Sequence, residues 1–178
     1  MKKLLYWINL SNKKKIKSII THSYILLFKF INSLDPKIIK NVLFNNIKSQ
    51  YKYAENKYEK FFVFGNDGGI SRQLYINGEY NLETLKKTIQ IIGKIDLIID
   101  VGANIGSTCI PGLKRKYAKQ SIAIEADKKN YDLLKINIAL NNLENKISTI
   151  NCVVSDKNKN YKLINNMRNF GANYISKI

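Results

Sequence analysis

The sequence is poor in the residues that build disulfide frameworks, histidine metal sites and histidine-based catalysis. It has two cysteines, Cys109 and Cys152, and one histidine, His22. The cysteines lie too far apart to form a CxxC metal or redox pair, and a single histidine excludes a metal site made of several histidines. We therefore expect reduced thiols, a cytoplasmic location, no metal centre, and no histidine acting as acid or base in the second half of the chain.

Acidic residues and arginine are also scarce. Thirty Lys and Arg against 13 Asp and Glu give a formal net charge of +17, yet only three of the thirty are arginines. The 27 lysines, 28 isoleucines and 23 asparagines indicate a drift in the base composition of the genome. Readout of bases and phosphates favours the planar guanidinium of arginine. The composition therefore disfavours nucleic acid as a partner, and a basic nucleic-acid-binding protein is kept only as an alternative.

No apolar run is long enough to span a bilayer, since lysines and His22 interrupt residues 16–31. Residues 1–52 carry eleven lysines and a single acid, and they are predicted to form two amphipathic basic helices that break at Asp35–Pro36. These helices either cap the following domain or attach residues 1–31 to an anionic membrane surface, which would make the protein peripheral to the membrane. The aromatic anchors of such an attachment would be Trp7, Tyr24, Phe28 and Phe30.

The most informative segment is a buried strand that ends in an acid and a glycine turn. Leu97 to Val101 is a branched apolar run that includes Asp100, and Gly102 and Gly106 follow before a predicted helix. Glycine lets the backbone turn sharply and approach a ligand closely. A strand, turn and helix of this kind form the nucleotide pockets at the carboxyl ends of parallel strands.

A second strand ends in another acid, Glu125, about twenty residues later. A carboxylate there can accept both hydroxyls of a ribose, which fits NAD as well as S-adenosylmethionine. The glycine spacing argues against NAD, because Gly102 and Gly106 do not form G-x-G-x-x-G and NAD requires a site for its pyrophosphate. S-adenosylmethionine carries an ammonium and a sulfonium, for which Asp100 is a suitable partner.

Four segments together resemble the FkbM family of methyltransferases: Asp100–Gly106, Glu125–Asp127, Asn130–Asn137 and Asn151–Asp156. The similarity covers roughly residues 60–176. It implies a class I Rossmann-like methyltransferase fold, S-adenosylmethionine as the methyl donor, and O-methylation of a sugar, glycan or related small-molecule acceptor. The candidate cofactor contacts are Asp100, Gly102, Ala103, Asn104, Gly106, Glu125, Ala126 and Cys152.

The remaining pattern predicts alternating strands and helices around this segment. Strands are expected at Lys60–Phe64, Ile70–Ile76 and Ile147–Val154, the first two joined as a hairpin by the glycine-rich residues 65–69. Asn81 and Asp127 are predicted to cap helices over residues 82–92 and 128–140. Pro111 and Gly112 predict a late or kinked start to the helix after the glycine turn.

We therefore predict an α/β chain with three parts: a basic helical extension (1–52), a hairpin and lead-in helix (53–94), and an incomplete Rossmann-like core (95–178). Only 72 residues follow Gly106, too few for a seven-stranded sheet. The chain is then a fragment, a decayed copy, or a partner of another chain, and we expect association through the unpaired sheet edge. An S-adenosylmethionine-dependent methyltransferase is the first hypothesis, with no assignable catalytic base; a non-catalytic cofactor-binding remnant is the alternative.

Overall fold

The computed structural model describes Thr21, residues 23–157 and 161–164, Asn166 and residues 168–177. The chain divides into two compact units, Met1–Ile39 and Lys40–Ile178. Residues 23–33 form helix α1, and α2 covers Pro36–Asn46 after a break at Asp35, as predicted. Residues 1–20 and His22, including the anchor proposed at Trp7, lie outside the described residues. Within the described residues, no helix is long and apolar enough to cross a membrane, so attachment to a membrane surface stays a prediction.

An antiparallel hairpin opens the second unit. Strand β1 (Tyr51–Glu55) pairs with β2 (Lys60–Phe64), with Tyr51 opposite Phe64 and Glu55 opposite Lys60. The expected end of the extension at residue 52 thus falls inside a strand. The prediction of β2 is confirmed, but its predicted pairing with Ile70–Ile76 is wrong.

Residues Ile70–Asn77 form helix α3 instead of a strand. The cause is Asp67, whose carboxylate accepts hydrogen bonds from the amides of Gly69 (3.0 Å) and Ser71 (2.9 Å) at the helix start. Gly78, at φ 75°, ends the helix in the left-handed conformation. The bond from Ser71 satisfies one of the amides at the helix start that have no partner within the helix, which favours a helix over a strand.

The central layer is a parallel sheet alternating with helices, as predicted. Its strands are β3 (Ile95–Val101), β4 (Ala118–Ile124) and β5 (Ile147–Ile150), in the order β3-β4-β5. Its helices are α4 (Leu82–Ile92), α5 (Cys109–Lys114) and α6 (Lys128–Leu140). Strand β5 ends at Ile150, four residues before its predicted end at Val154.

The predicted helix caps have different outcomes. Asp127 caps α6, because its side chain accepts hydrogen bonds from the amides of Lys129 and Asn130, both 2.9 Å away. Asn81 does not cap a backbone amide of α4; its side chain instead accepts a hydrogen bond from the hydroxyl of Thr84. Helix α5 begins only at Cys109, which is the late start predicted from Pro111.

Asn137 of α6 and Asn141, the residue that ends this helix, attach the hairpin to the sheet layer. Asn137 accepts from the amide of Phe62 (2.7 Å) and donates to its carbonyl (3.0 Å), while Asn141 makes the same pair with Lys60 (3.0 and 2.7 Å). Because Asn137 and Asn141 are four apart on a helix and Lys60 and Phe62 two apart on a strand, the side chains replace a neighbouring strand at the edge of β2.

The sheet is buried on one face and exposed on the other. Ala123 and Ile147 are buried on the face that α5 and α6 cover, whereas Ile99 and Val101 are 61% and 58% exposed on the opposite face. Strand β6 (Tyr161–Ile164), a 3₁₀ turn (Phe170–Ala172) and β7 (Tyr174–Lys177) complete the described chain as a separate antiparallel hairpin. The sheet is therefore partial, as expected, and association through it stays a prediction.

Candidate functional site

The carboxyl ends of the three parallel strands lie side by side at one edge of the sheet. Val101 is in register with Ile124, which is in register with Ile150. The chain turns immediately beyond them: the amides of Gly102 and Ala103 both donate to the carbonyl of Ile124 at 2.9 Å. This register brings the glycine turn and the two following loops together, which is where open α/β sheets bind ligands.

The side chain of Glu125 connects the two loops at this edge of the sheet. It is buried, and its two carboxylate oxygens accept hydrogen bonds from the amides of Asn104 (2.8 Å) and Asp127 (2.9 Å). The side chain of Asn151 in turn donates to the carbonyl of Glu125 at 2.7 Å. A carboxylate offers about four acceptor positions, so two remain for a ligand after the two amides are bound.

The glycine turn has a left-handed backbone at three positions: Gly102 (φ 78°), Asn104 (φ 50°) and Gly106 (φ 96°). A Cβ at Gly102 would meet no atom within 4 Å, so this glycine leaves open space above the strand end. A Cβ at Gly106 would lie 2.6 Å from Ile110 Cδ1 and 3.0 Å from Leu134 Cδ1. Gly102 thus keeps space for a ligand, and Gly106 allows helices α5 and α6 to pack closely.

Asp100 faces away from that open space. Its Oδ2 accepts a hydrogen bond from the amide of Cys109 at 3.1 Å, at the start of α5. Burial raises the pKa of Asp100, and the charge of Glu125 adds to this, although the bond from Cys109 opposes it. Burial likewise raises the pKa of the Cys109 thiol. The bond from Cys109 ties Asp100 to the start of α5, and its contact with the cofactor ammonium stays a prediction.

A cavity of about 410 Å³ opens beyond the strand ends. Its volume falls in the range of small-molecule sites, roughly 300–1,000 Å³. Of the predicted contacts, Gly102, Asn104, Glu125, Ala126 and Cys152 line it. Asp100, Ala103 and Gly106 do not, although they lie in β3 and in the turn that follows it.

The opposite wall comes from the end of the chain, which sequence reasoning did not assign to the site. Phe170 packs edge-on against Phe64 with ring centroids 5.0 Å apart, and its amide donates to Asp67 at 3.2 Å. Buried Asn130 donates to the carbonyl of Phe170 at 3.4 Å, while its own Oδ1 has no partner among the described residues. No local pattern marks these residues, because the contacts join positions 40 to more than 100 residues apart.

Comparison with known families gives a specific match. Residues 74–178 match the model of the TRM5/TYW2 methyltransferase domain. The resemblance to the FkbM family is therefore wrong, although both are S-adenosylmethionine-dependent class I families, and the predicted class I methyltransferase α/β fold and cofactor are confirmed. The expected glycan acceptor and the expectation that nucleic acid is an unlikely partner are also wrong, because the similar solved structures include tRNA methyltransferases.

Similar solved structures include proteins of Pyrococcus horikoshii and Methanocaldococcus jannaschii. The chain is 21% identical to TYW2 of Pyrococcus horikoshii in complex with MeSAdo, covering 62% of this chain and 39% of that one, with a TM-score of 0.43. It is 22% identical to Methanocaldococcus jannaschii TYW2 in complex with AdoMet, covering 60% and 45%, TM-score 0.43. It is 20% identical to the M. jannaschii tRNA m1G37 methyltransferase, covering 71% of this chain and 45% of that one, with a TM-score of 0.47.

The chain spans less than half the length of each of these structures. Comparison with curated protein sequences gives no match.

Proposed function

This chain belongs to the TRM5/TYW2 methyltransferase domain family, and we propose that it binds S-adenosylmethionine in the cavity at the sheet edge and serves methyl transfer to RNA. The observation that carries the proposal is the position of Glu125, which lines the cavity while its carboxylate holds the glycine turn. Family membership alone does not locate the donor, and the turn held by Glu125 supports this location.

The cavity residues suit the three parts of this donor. Glu125 has acceptor positions left for the ribose hydroxyls. Val153 and Val154 follow β5 and, with Phe170, offer apolar surface for an adenine ring. Gly102 and Asn104 line the cavity along the turn, where backbone can approach the methionine part closely. Asn130 Oδ1, buried without a partner among the described residues, is an acceptor for a donor group of the ligand.

When bound, S-adenosylmethionine would supply an electrophilic methyl group, to which an acceptor nucleophile forms a bond in line with the carbon–sulfur bond that breaks, the sulfur leaving as a neutral thioether. The residues of this chain orient the donor, and orientation contributes much of the acceleration in such reactions. Glu125 acts in binding, because both of its oxygens are engaged by amides. The catalytic base stays unassigned.

RNA is the acceptor best supported by this chain. Related proteins include a tRNA m1G37 methyltransferase, and the net charge of +17 favours attraction to phosphates. The scarcity of arginine does not oppose this, since lysine binds phosphate as a point charge.

Calorimetry with S-adenosylmethionine tests donor binding, and a pair of substitutions at Cys152 provides the control. Cys152 is exposed and lines the cavity, so Cys152→Phe should reduce affinity at least about tenfold, while Cys152→Ser should leave it within about twofold. Absence of heat from folded wild-type protein would refute the proposal. Transfer of labelled methyl groups to unfractionated tRNA tests the acceptor; binding without transfer would assign the chain to donor binding alone.

A further inference from the structure

Two of the three arginines lie together in a second cleft, away from the strand ends. The cleft measures about 700 Å³ and is lined by Lys48, after α2, by Arg72 of α3 and by Arg168 of the terminal segment. The third arginine, Arg115, is engaged in a buried ion pair with Glu59 at 2.7 Å. In a basic chain built almost entirely on lysine, the two remaining guanidinium groups therefore share one site.

The cleft carries positive charge without a carboxylate to balance it. None of its lining residues is acidic, and among the described residues neither Arg72 nor Arg168 has a carboxylate within 4 Å. Arg72 is held by a neutral group, since its Nη2 donates to Asn41 Oδ1 at 2.6 Å. The neighbouring acid, Asp67, is fully buried and directs its oxygens to the amides at the start of α3 and at Phe170.

A buried lysine beneath the cleft adds to this imbalance. Lys52 is 8% exposed, and its Nζ donates to the carbonyls of Ile47 (2.7 Å) and Gly65 (3.5 Å) while lying 5.0 Å from the ring centroid of Phe44. Ile47, Gly65 and Phe44 all line the cleft. The two carbonyls accept hydrogen bonds from the ammonium group and the ring face attracts it, but none of them neutralises its charge. Because water screens a buried charge weakly, Lys52 would stabilise an anion bound in the cleft.

We propose that the cleft of Lys48, Arg72 and Arg168 binds successive backbone phosphates of the RNA acceptor. The inference rests on the proposed function, which supplies RNA as the acceptor. A strand of RNA fits better than a free anion, because most of the lining side chains are exposed and come from separate segments. Salt weakens the attraction between such exposed groups and a single ion. A polyanion makes several contacts at once, and the release of its counterions favours binding.

The test is the salt dependence of RNA binding, measured by fluorescence anisotropy with a labelled tRNA transcript and the full chain. Loss of two phosphate contacts in Arg72→Gln/Arg168→Gln should weaken binding about tenfold and reduce the slope of log K against log salt by about 1.4–1.8. The control Lys86→Gln/Lys135→Gln removes the same charge from exposed positions outside the cleft and should bind within about twofold of wild type.

Equal losses in the two double variants, or an unchanged slope in the arginine variant, would overturn the inference. Inorganic phosphate at matched ionic strength should displace the RNA no better than chloride; stronger displacement would show a free-anion site instead. If the arginine variant fails to fold, Lys48→Gln at an exposed position should still reduce the slope by about 0.7–0.9. Calorimetry separates the two proposals. If S-adenosylmethionine still binds but the two double variants bind RNA equally well, only the phosphate-binding cleft is refuted.

Discussion

Replacing Gly106 by alanine should destabilise the protein more than the same change at Gly102. Both glycines have a positive φ, 78° at Gly102 and 96° at Gly106, where an alanine costs roughly 1–2 kcal/mol. Only at Gly106 does the new Cβ also meet packed atoms, 2.6 Å from Ile110 Cδ1 and 3.0 Å from Leu134 Cδ1. Overpacking of this kind costs about 1–3 kcal/mol more. The gain from a stiffer unfolded chain is the same for both variants and cancels in their comparison.

Urea unfolding followed by circular dichroism measures the difference directly. We expect Gly106→Ala to lower the free energy of unfolding by about 2–5 kcal/mol and Gly102→Ala by about 1–2 kcal/mol. Each 1 kcal/mol should lower Tm by roughly 2–4 °C in a chain of this size. Equal losses would refute the assignment of Gly106 to helix packing.

The same two variants separate stability from binding. At Gly102 the added methyl group occupies open space in the lining of the cavity, so Gly102→Ala should lose affinity for S-adenosylmethionine beyond what its stability explains. Gly106 does not line the cavity, and the folded fraction of Gly106→Ala should bind the donor nearly as wild type does. Unchanged affinity in Gly102→Ala would contradict the placement of the donor beside the turn.

Three further variants test other parts of the structure. Arg115→Ala leaves the carboxylate of Glu59, 1% exposed, without its partner and should cost about 3–5 kcal/mol in urea unfolding; Arg115→Lys, which keeps one charge but not the paired geometry, should cost less. Asn137→Leu removes both side-chain hydrogen bonds to Phe62 and should destabilise by about 1–3 kcal/mol, with early hydrogen exchange in β2; an unaltered exchange pattern would argue against the asparagine bridge. Asp100→Asn, without cofactor, should stabilise at neutral pH, because folding raises the pKa of Asp100 and so disfavours its ionised form. That gain should vanish as pH falls below the ordinary pKa of 3.8; a gain independent of pH would show another cause.

Local patterns predicted the parts of the site that depend on neighbours in sequence. The apolar run before Gly102, the acid at Glu125 and the cap at Asp127 each act within a few residues, so a strand, a turn and a helix start could be placed. The family could not be placed the same way, because the turn, acid and strand pattern is shared by more than one class I methyltransferase family. The prediction of a strand at Ile70–Ile76 is wrong, because the segment forms a helix whose start is held by the Asp67 carboxylate.

The sequence by itself determined that a parallel sheet presents a glycine turn and a carboxylate at its carboxyl edge, since periodicity and backbone freedom are local properties. Only the tertiary structure decided that Glu125 holds the turn, that Asp100 does not line the cavity, and that Phe170 does. It also brought Arg72 and Arg168 together from positions 96 residues apart (168 − 72). Such contacts depend on the packing of distant segments, whose geometry no spacing along the chain encodes.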